Sequence, residues 1–150
     1  MRVSTKGRYG LRVMIELTIQ QGRGPILVQE LADAQALPPK YLHVLLGTLR
    51  AAGLVRATRG PNGGYELGRD GASITALSVV EALEGRMALT GCGDEEGGAC
   101  CTRGQVCAAK ELWDRASDAL TTVLASETLA QLAERELQLR AQDPADHYAI

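Results

Sequence analysis

The chain has 150 residues, enough for one domain with a core of its own or for one small domain plus an appendage. With 45% hydrophobic and 23% charged residues, its composition is ordinary for a globular protein. Phenylalanine is absent and there is one tryptophan, so leucine, valine and alanine must build the core, which favours helices. No apolar run approaches a membrane span and the N-terminus lacks a signal-peptide core, so we expect a cytoplasmic protein.

The net charge of −2 hides an uneven distribution along the chain. Residues 1–70 hold ten Lys or Arg against five Asp or Glu, whereas residues 71–150 hold six against thirteen. The first part is therefore near +5 and the second near −7. A basic first half suits a polyanionic partner.

Apolar residues at helical spacing predict three helices in the first third of the chain, at about 5–21, 28–35 and 39–52. On the third, Leu42, Leu45, Leu46 and Leu49 form one stripe, and Gly53 follows its end. Two short helices with a tight turn, the second basic and polar on its outer face, predict a helix-turn-helix. Two ordinary amphipathic helices would give the same pattern.

A hairpin is predicted directly after this helix pair. Leu54–Thr58 and Tyr65–Leu67 have the pattern of strands, and Arg59–Gly64 between them is rich in turn residues. A hairpin in this position is the wing of a winged helix. Arg56 on its shaft and Arg59 at its tip are placed to reach phosphates or a narrow minor groove. In the alternative of a solvated hairpin, the two arginines would be incidental.

The second half is predicted to add three helices. Thr75 can cap a helix over Ala76–Glu84 that closes the core, and the longest helix is predicted to run from Cys107 to about Ser126. The longest helix has a narrow stripe of apolar and small residues: Leu112, Ala116, Ala119, Leu120 and Val123. Such a stripe suits packing against a second copy of the chain, although packing within one chain is an alternative. Ser126 is predicted to cap a last helix through about Arg140.

All four cysteines lie between Cys92 and Cys107, in a segment rich in glycine. The segment is too poor in large apolar side chains to fold by packing. Thiolates converging on a metal centre would hold it, and we interpret it as an iron–sulfur cluster loop. Two alternatives remain: zinc on the same thiolates, and a metal-free switch in which Cys100 or Cys101 forms a disulfide.

Nothing in the sequence predicts an enzyme. His43 and His147 are the two histidines, and neither lies in a recognisable nucleophile or metal motif.

Together these features resemble the winged-helix iron–sulfur regulators of bacteria that include IscR, NsrR and RirA. The resemblance rests on the opening residues 1–10, Tyr41-Leu42, Gly53-Leu54-Val55, the wing sequence 59–65, the cysteine loop, Leu112-Trp113 and Thr128-Leu129. It implies a homodimeric regulator that binds a double-stranded DNA operator and senses iron, cluster status, nitric oxide or redox state.

The resemblance also implies DNA contacts from Lys40, Tyr41, His43, Val44 and Arg59. His43 stands where some members carry an acidic residue that tunes site preference, so the resemblance leaves the operator sequence of this chain open.

For the cluster, the resemblance implies three cysteine ligands. Cys92, Cys101 and Cys107, with eight and then five residues between them, match the family pattern, and Cys100 is an alternate or fourth ligand. The positions at which other members supply a fourth ligand hold Lys110, Arg8 and Arg12. A 2Fe–2S and a 4Fe–4S centre both remain open.

The predicted fold class is mainly α with a small β-hairpin wing: a winged helix-turn-helix followed by a long dimerisation helix. The predicted organisation is a DNA-binding domain at 1–85, a cluster loop at 86–107, dimerisation helices at 108–142 and a flexible tail at 143–150.

Overall fold

The computed structural model of the chain describes residues 3–90 and 106–142. These residues form six α-helices, one two-stranded antiparallel sheet and a 3₁₀ turn. In chain order they are α1 (Thr5–Ile19), α2 (Val28–Gln35), α3 (Pro39–Ala51), β1 (Val55–Thr58), β2 (Gly64–Leu67), the 3₁₀ turn (Gly71–Ser73), α4 (Ala76–Glu84), α5 (Ala108–Ser126) and α6 (Leu129–Gln142). The predicted mainly α fold with one hairpin is confirmed. The predicted tail, 143–150, lies outside the described residues.

Short-range capping explains where several helices begin and end. The Thr75 hydroxyl accepts a hydrogen bond from the backbone N–H of Ser78 at 3.2 Å, so the predicted cap of α4 is confirmed. The α3 helix has proline near its start, where a missing N–H costs nothing, and Gly53 follows its end with φ of +72°.

The predicted cap of the last helix at Ser126 is wrong. Ser126 is still part of α5, and its hydroxyl donates to the carbonyl of Val123 at 2.9 Å. The cap is Thr128, whose hydroxyl accepts from the N–H of Gln131 at 3.3 Å while the Gln131 side chain accepts from the N–H of Thr128 at 2.9 Å. This reciprocal capping box satisfies two helix-end donors and starts α6 at Leu129.

The hydrophobic core lies between α1, α3, α4 and the sheet. The predicted leucine stripe of α3 is fully buried in it. Its largest members without solvent exposure are Met14, Leu17, Leu31, Leu42, Leu45, Leu46, Leu49, Ile74 and Leu129. As expected from the composition, aliphatic side chains provide this core.

Helix α6 returns to the first half of the chain and packs on α1. Its first residue, Leu129, is fully buried, and the N–H of Leu129 donates to the carbonyl of Ile74 at 2.8 Å. The N–H of Ala76 donates in turn to the carbonyl of Glu127 at 2.8 Å. The predicted organisation groups α6 with α5 for dimerisation; within one chain, the buried side chains of α6 complete the core.

The hairpin is joined to the rest of the fold at its base. Its strands pair Val55 with Leu67, and both side chains are buried. On the other side of β2, Tyr65 forms an antiparallel bridge with Ile26, in which each N–H donates to the partner's carbonyl at 2.8 Å. A Cβ at Gly64 would collide with the Ile26 backbone, so glycine is needed for this close approach.

Within the described part of the chain, no helix is long and apolar enough to cross a membrane.

Candidate DNA-binding surface and cysteine segment

Helix α3 turns a polar face to solvent opposite its buried leucines. Lys40, His43 and Val44 are exposed on it, in the first two turns. Val44 is 60% exposed, an apolar side chain on an otherwise polar face. In a major groove, a cation can contact phosphate, an imidazole can read base edges, and an aliphatic group can contact a thymine methyl. This face therefore has the chemistry of a recognition helix.

Tyr41 is placed differently from its neighbours. It is half-buried, and its ring meets the ring of Tyr9 edge to face, with 6.2 Å between centroids and 85° between planes. The guanidinium groups of Arg8 and Arg12 lie 5.5 and 5.4 Å from the Tyr9 centroid. Tyr41 thus joins α3 to α1, and its predicted contact with DNA stays a prediction.

The two wing arginines differ in their surroundings. Arg56 lies across the sheet from Glu66, and the closest nitrogen and oxygen of the pair are 3.4 Å apart. Arg59 is exposed in the turn, and residues 3–90 and 106–142 provide no acidic partner for it. Although an exposed pair stabilises little, it offsets the charge of Arg56. The positive charge at the wing tip therefore comes from Arg59.

On the exposed side of the fold, α3 and the wing meet at the side chains of His43 and Tyr65. The Tyr65 hydroxyl lies 3.5 Å from Nδ1 of His43, and the two rings pack edge to face with centroids 6.3 Å apart. The wing is therefore held to the exposed face of α3 as well as to the loop before α2.

One of the four predicted thiol ligands lies in the described part of the chain. Cys107 is half-buried and occupies the position before the first residue of α5, with no side-chain capping hydrogen bond. Cys92, Cys100 and Cys101 lie outside the described residues. Within the described ranges, no group of three or more His, Cys, Asp or Glu side chains could hold a metal ion. The predicted ligand set stays a prediction.

The cysteine segment lies in the chain between α4 and α5, and hydrogen bonds connect the residues on its N-terminal side to α5 and to α1. Before it, the N–H of Leu89 donates to the hydroxyl of Ser117 in the middle of α5 at 3.0 Å. At the end of α4, the carboxylate of Glu84 accepts hydrogen bonds from the Ser4 hydroxyl and from the N–H of Gly7, the latter at 2.8 Å. The chain just before the cysteine segment is thus bonded to α5, and α4 is bonded to the N-terminus of α1.

Helix α5 is the least buried of the helices. None of its residues is buried in the single chain, although it contacts α4. In its predicted apolar stripe, Leu112 is 57% and Val123 61% exposed, and the neighbouring Trp113 is also exposed. A helix of this length with an uncovered apolar side suits burial against another chain.

A family model described as "Iron-dependent Transcriptional regulator", the Rrf2 model, matches residues 3–135. The chain belongs to the Rrf2 family. The transcriptional regulator CymR of Bacillus subtilis is 42% identical over 134 residues, 89% of this chain and 90% of CymR. The regulator IscR of Xenorhabdus nematophila is 34% identical over 146 residues, 97% of this chain and 87% of IscR. The resemblance stated from the sequence is confirmed.

The solved structure of CymR, described as the global cysteine regulator of B. subtilis, has the same fold. It aligns with a TM-score of 0.75 and 40% identity over 90% of this chain and 98% of that one. The fold is therefore the winged helix of Rrf2 regulators. These relatives are transcriptional regulators and not enzymes, as expected from the sequence.

Two of the positions at which the resemblance implies a fourth ligand, Lys110 and Arg12, make other contacts in this chain. The ammonium group of Lys110 pairs with the carboxylate of Asp114 on α5. The guanidinium of Arg12 donates to the side-chain oxygen and to the backbone carbonyl of Gln35, both at 3.1 Å, and so holds the end of α2. A protonated amine or guanidinium is a donor and does not coordinate a metal.

Sequence reasoning missed the buried polar network that begins at Gln35. The Gln35 amide donates at 3.3 Å to Glu16, which is itself buried and also accepts from Gln20 at 2.9 Å and from Arg140 at 2.8 Å. Burial raises the pKa of the Glu16 carboxyl, but the hydrogen bonds from Arg140 and Gln20 and the charge of Arg140 outweigh it, so the net pKa is lowered. The signal in the sequence that could have predicted this network is Glu16, a charged residue among the apolar residues of α1.

Proposed function

We propose that this Rrf2 regulator is a cytoplasmic homodimer that binds a DNA operator sequence-specifically and responds to iron, cluster status, nitric oxide or redox state through a cysteine-ligated iron–sulfur cluster. The observation that supports DNA binding is the exposed polar face of α3, with the cationic wing beside it. The basic character of residues 1–70 supports the same surface.

Each residue of this surface has a role that follows from its exposure. Lys40 binds a phosphate at the start of α3, and His43 and Val44 read base edges in the major groove. Arg59 enters the minor groove or binds its phosphates. Arg56, paired with Glu66, adds less.

The dimer is proposed to form through α5. A second copy would cover the exposed stripe that includes Leu112 and Val123 and would place two recognition helices on paired half-sites. We expect Val123→Glu to give a monomer with unchanged helix content. Ala125→Glu, exposed and about 200° further round the helix, is the matched control and should stay dimeric. Sedimentation equilibrium measures both; a dimeric Val123→Glu protein would remove α5 from the interface.

The cysteine donors fit an iron–sulfur cluster. Cys92, Cys101 and Cys107 would hold it, with Cys100 as alternate or fourth ligand, because thiolates are the usual protein ligands of such clusters. Cys107 lies at the N-terminal end of α5, and its thiol does not cap the helix. The occupancy and the oxidation state of a bound cluster would depend on the iron supply and on oxidants.

The chain's own contacts suggest how that state could reach DNA. Leu89, which precedes the cysteine segment, is bonded to Ser117 of α5, and α4 is bonded to α1 through Glu84. A conformational change in the cysteine segment would therefore be transmitted to α5, which is proposed to form the dimer, and through α4 to α1 of the winged helix. It would alter the spacing of the two recognition helices and with it the operator affinity.

The similarity to CymR favours a second candidate, a cluster-free thiol switch on the same DNA-binding fold. CymR is 42% identical and is described as a cysteine regulator. In this candidate, Cys100 or Cys101 forms a disulfide with a neighbouring cysteine and the redox state of the pair controls DNA binding. A structural zinc on the cysteines is a further alternative.

An absorption spectrum of protein purified without oxygen, with iron, sulfide and zinc assayed on the same sample, separates these candidates. Visible bands with matched iron and sulfide support the cluster. A protein that stays colourless after reconstitution with iron and sulfide refutes it, and its zinc content then separates zinc from a thiol switch.

Cysteine variants test the ligand set and the mechanism. Cys92→Ala should lose iron and sulfide and change DNA binding. Cys100→Ala decides the role of the extra thiol: the cluster is kept if Cys100 is only an alternate ligand, and is weakened or lost if Cys100 is the fourth ligand. If Cys92→Ala leaves DNA binding and its response to cluster loss unchanged, the proposed mechanism is wrong.

A further inference from the structure

The contact between His43 and Tyr65 joins the two parts of the DNA-binding surface. His43 is exposed on α3, whereas Tyr65 is half-buried on β2, and their closest polar atoms are the Tyr65 hydroxyl and Nδ1 of His43, 3.5 Å apart. Within residues 3–90 and 106–142, no other side chain makes a hydrogen bond to the His43 ring. One ring nitrogen is thus engaged by the protein, and Nε2 remains for DNA.

The backbone of Tyr65 is held on both of its sides. Its N–H and carbonyl both bond to Ile26 at 2.8 Å, and it is also paired with Ala57 across the hairpin. The preceding Gly64 brings the backbone of β2 against that of Ile26, closer than any side chain would permit. The position of the Tyr65 backbone, from which its ring extends, is therefore set by the base of the hairpin and not by the wing tip.

The contact also bears on which proton the imidazole carries. A neutral imidazole has one N–H donor and one acceptor nitrogen, so a bond at Nδ1 determines the role of Nε2. When the Tyr65 hydroxyl donates to Nδ1, the ring proton is on Nε2. The described residues offer the hydroxyl proton no other acceptor. The negative potential of a DNA groove also favours a donor over an acceptor at Nε2.

We propose that Tyr65 is a specificity-determining positioning residue, which holds His43 so that its Nε2–H donates to a base acceptor in the major groove. The inference rests on the proposed DNA contact of His43. Guanine presents two acceptors, N7 and O6, whereas cytosine presents a donor, its N4 amino group. One donor at Nε2 can bond to guanine, to adenine N7 or to thymine O4, but not to the amino group of cytosine. This chain therefore rejects cytosine at the base that His43 reads, whereas a carboxylate in the same position would accept a hydrogen bond from it.

The test uses an operator selected by the wild-type protein from a random duplex library. The base read by His43 is the position at which His43→Ala loses its preference. At that position we expect wild type to bind the guanine duplex about tenfold more tightly than the cytosine duplex, a difference typical of one specific base contact. Tyr65→Phe should lose most of this ratio. Tyr9→Phe, which also removes one hydroxyl from a ring beside α3, should keep it.

A double-mutant cycle shows whether Tyr65 acts through His43. If it does, Tyr65→Phe has no further effect on the base ratio in the His43→Ala background. Independent effects that add would overturn the inference and assign Tyr65 a contact of its own. A wild-type protein that selects no site at all would instead refute the proposed function, so the two failures are distinguishable.

An NMR measurement without DNA provides a second readout. The chain has two histidines, so their imidazole signals can be assigned by comparing wild type with His43→Ala. Long-range ¹H–¹⁵N correlations should show the proton of neutral His43 on Nε2 in wild type and a mixture of both forms in Tyr65→Phe. A proton on Nδ1 in the wild-type protein would overturn the inference.

Discussion

The pair between Arg140 and Glu16 connects the end of α6 to the middle of α1, and we expect its removal to destabilise the fold. Arg140 Nη2 lies 2.8 Å from Glu16 Oε2, and its Nε lies 3.2 Å from Glu136 Oε1. One guanidinium thus bonds a buried carboxylate and an exposed one. Glu16→Gln is the test substitution, and Glu136→Gln is its matched control on the same arginine.

The expected magnitudes follow from exposure. Breaking a fully buried ion pair by removing one partner costs about 3–5 kcal/mol. The Glu16 side chain is 6% exposed but that of Arg140 is 42% exposed, so water screens the pair and can solvate a released arginine. Glu16→Gln also keeps the shape of the side chain. We therefore expect a loss of about 1–2 kcal/mol, the range of one charged hydrogen bond. Glu136→Gln, at a surface pair four residues apart, should cost about 0.3–0.5 kcal/mol.

The effect should depend on pH in one direction. Because the pKa of Glu16 is lowered in the folded state from its ordinary value of 4.5, the folded protein binds this proton less tightly than the unfolded chain. The contribution to stability is therefore fully present above the unfolded pKa and is lost as the pH falls through the folded pKa. The difference between wild type and Glu16→Gln should be largest near pH 7 and should shrink progressively below about pH 4.5.

Urea unfolding followed by circular dichroism measures these differences. All variants are compared at one protomer concentration, because a dimer gains apparent stability with concentration. Equal losses for Glu16→Gln and Glu136→Gln would refute the reasoning, since burial would then have no influence. So would a Glu16→Gln difference that is as large below the folded pKa as at pH 7.

Three further predictions concern the core, the wing base and the wing tip. Leu129→Ala removes a fully buried side chain and should lower the free energy of unfolding by about 2–5 kcal/mol in the same urea assay. Gly64→Ala places a methyl group against the backbone of Ile26 and should lower the free energy of unfolding by about 1–3 kcal/mol. Gly47→Ala, in a helix with open space around it, should raise the free energy of unfolding by about 0.5–1 kcal/mol. Changes of the same sign in the two variants would contradict this account. Arg59→Ala should weaken operator binding and reduce its salt dependence in titrations at several salt concentrations, and unchanged affinity would remove Arg59 from the interface.

Local patterns predicted the elements of this fold closely. The bounds of α2 and α4 agree with prediction, and α1, α3 and the two strands differ from it by one or two residues at an end. Apolar spacing, glycine and a hydroxyl cap are short-range signals, and they act before any tertiary contact forms. Ser126 was chosen wrongly as a cap because Thr128, two residues later, competes for the same role. The partner at Gln131 decides between them by closing a capping box.

The candidate site was predicted unevenly. The exposed positions of Lys40, His43 and Val44 follow from helical periodicity once the leucine stripe is recognised. The packing of Tyr41 on Tyr9 and the ion pair between Arg56 and Glu66 do not follow from periodicity, because each contact depends on a residue from another helix or strand.

The sequence by itself determined the winged helix, the exposed polar face of α3 and the family, since these depend on periodicity, turn residues and short motifs. Only the tertiary structure decided that α6 packs on α1, that Arg140 reaches Glu16 across 124 residues of chain, and that the wing is held to His43 through Tyr65. The physical reason is the range of the interactions. A helix or a hairpin forms from neighbours in the chain, whereas burial of an ion pair or a ring depends on which surfaces the folded chain brings together.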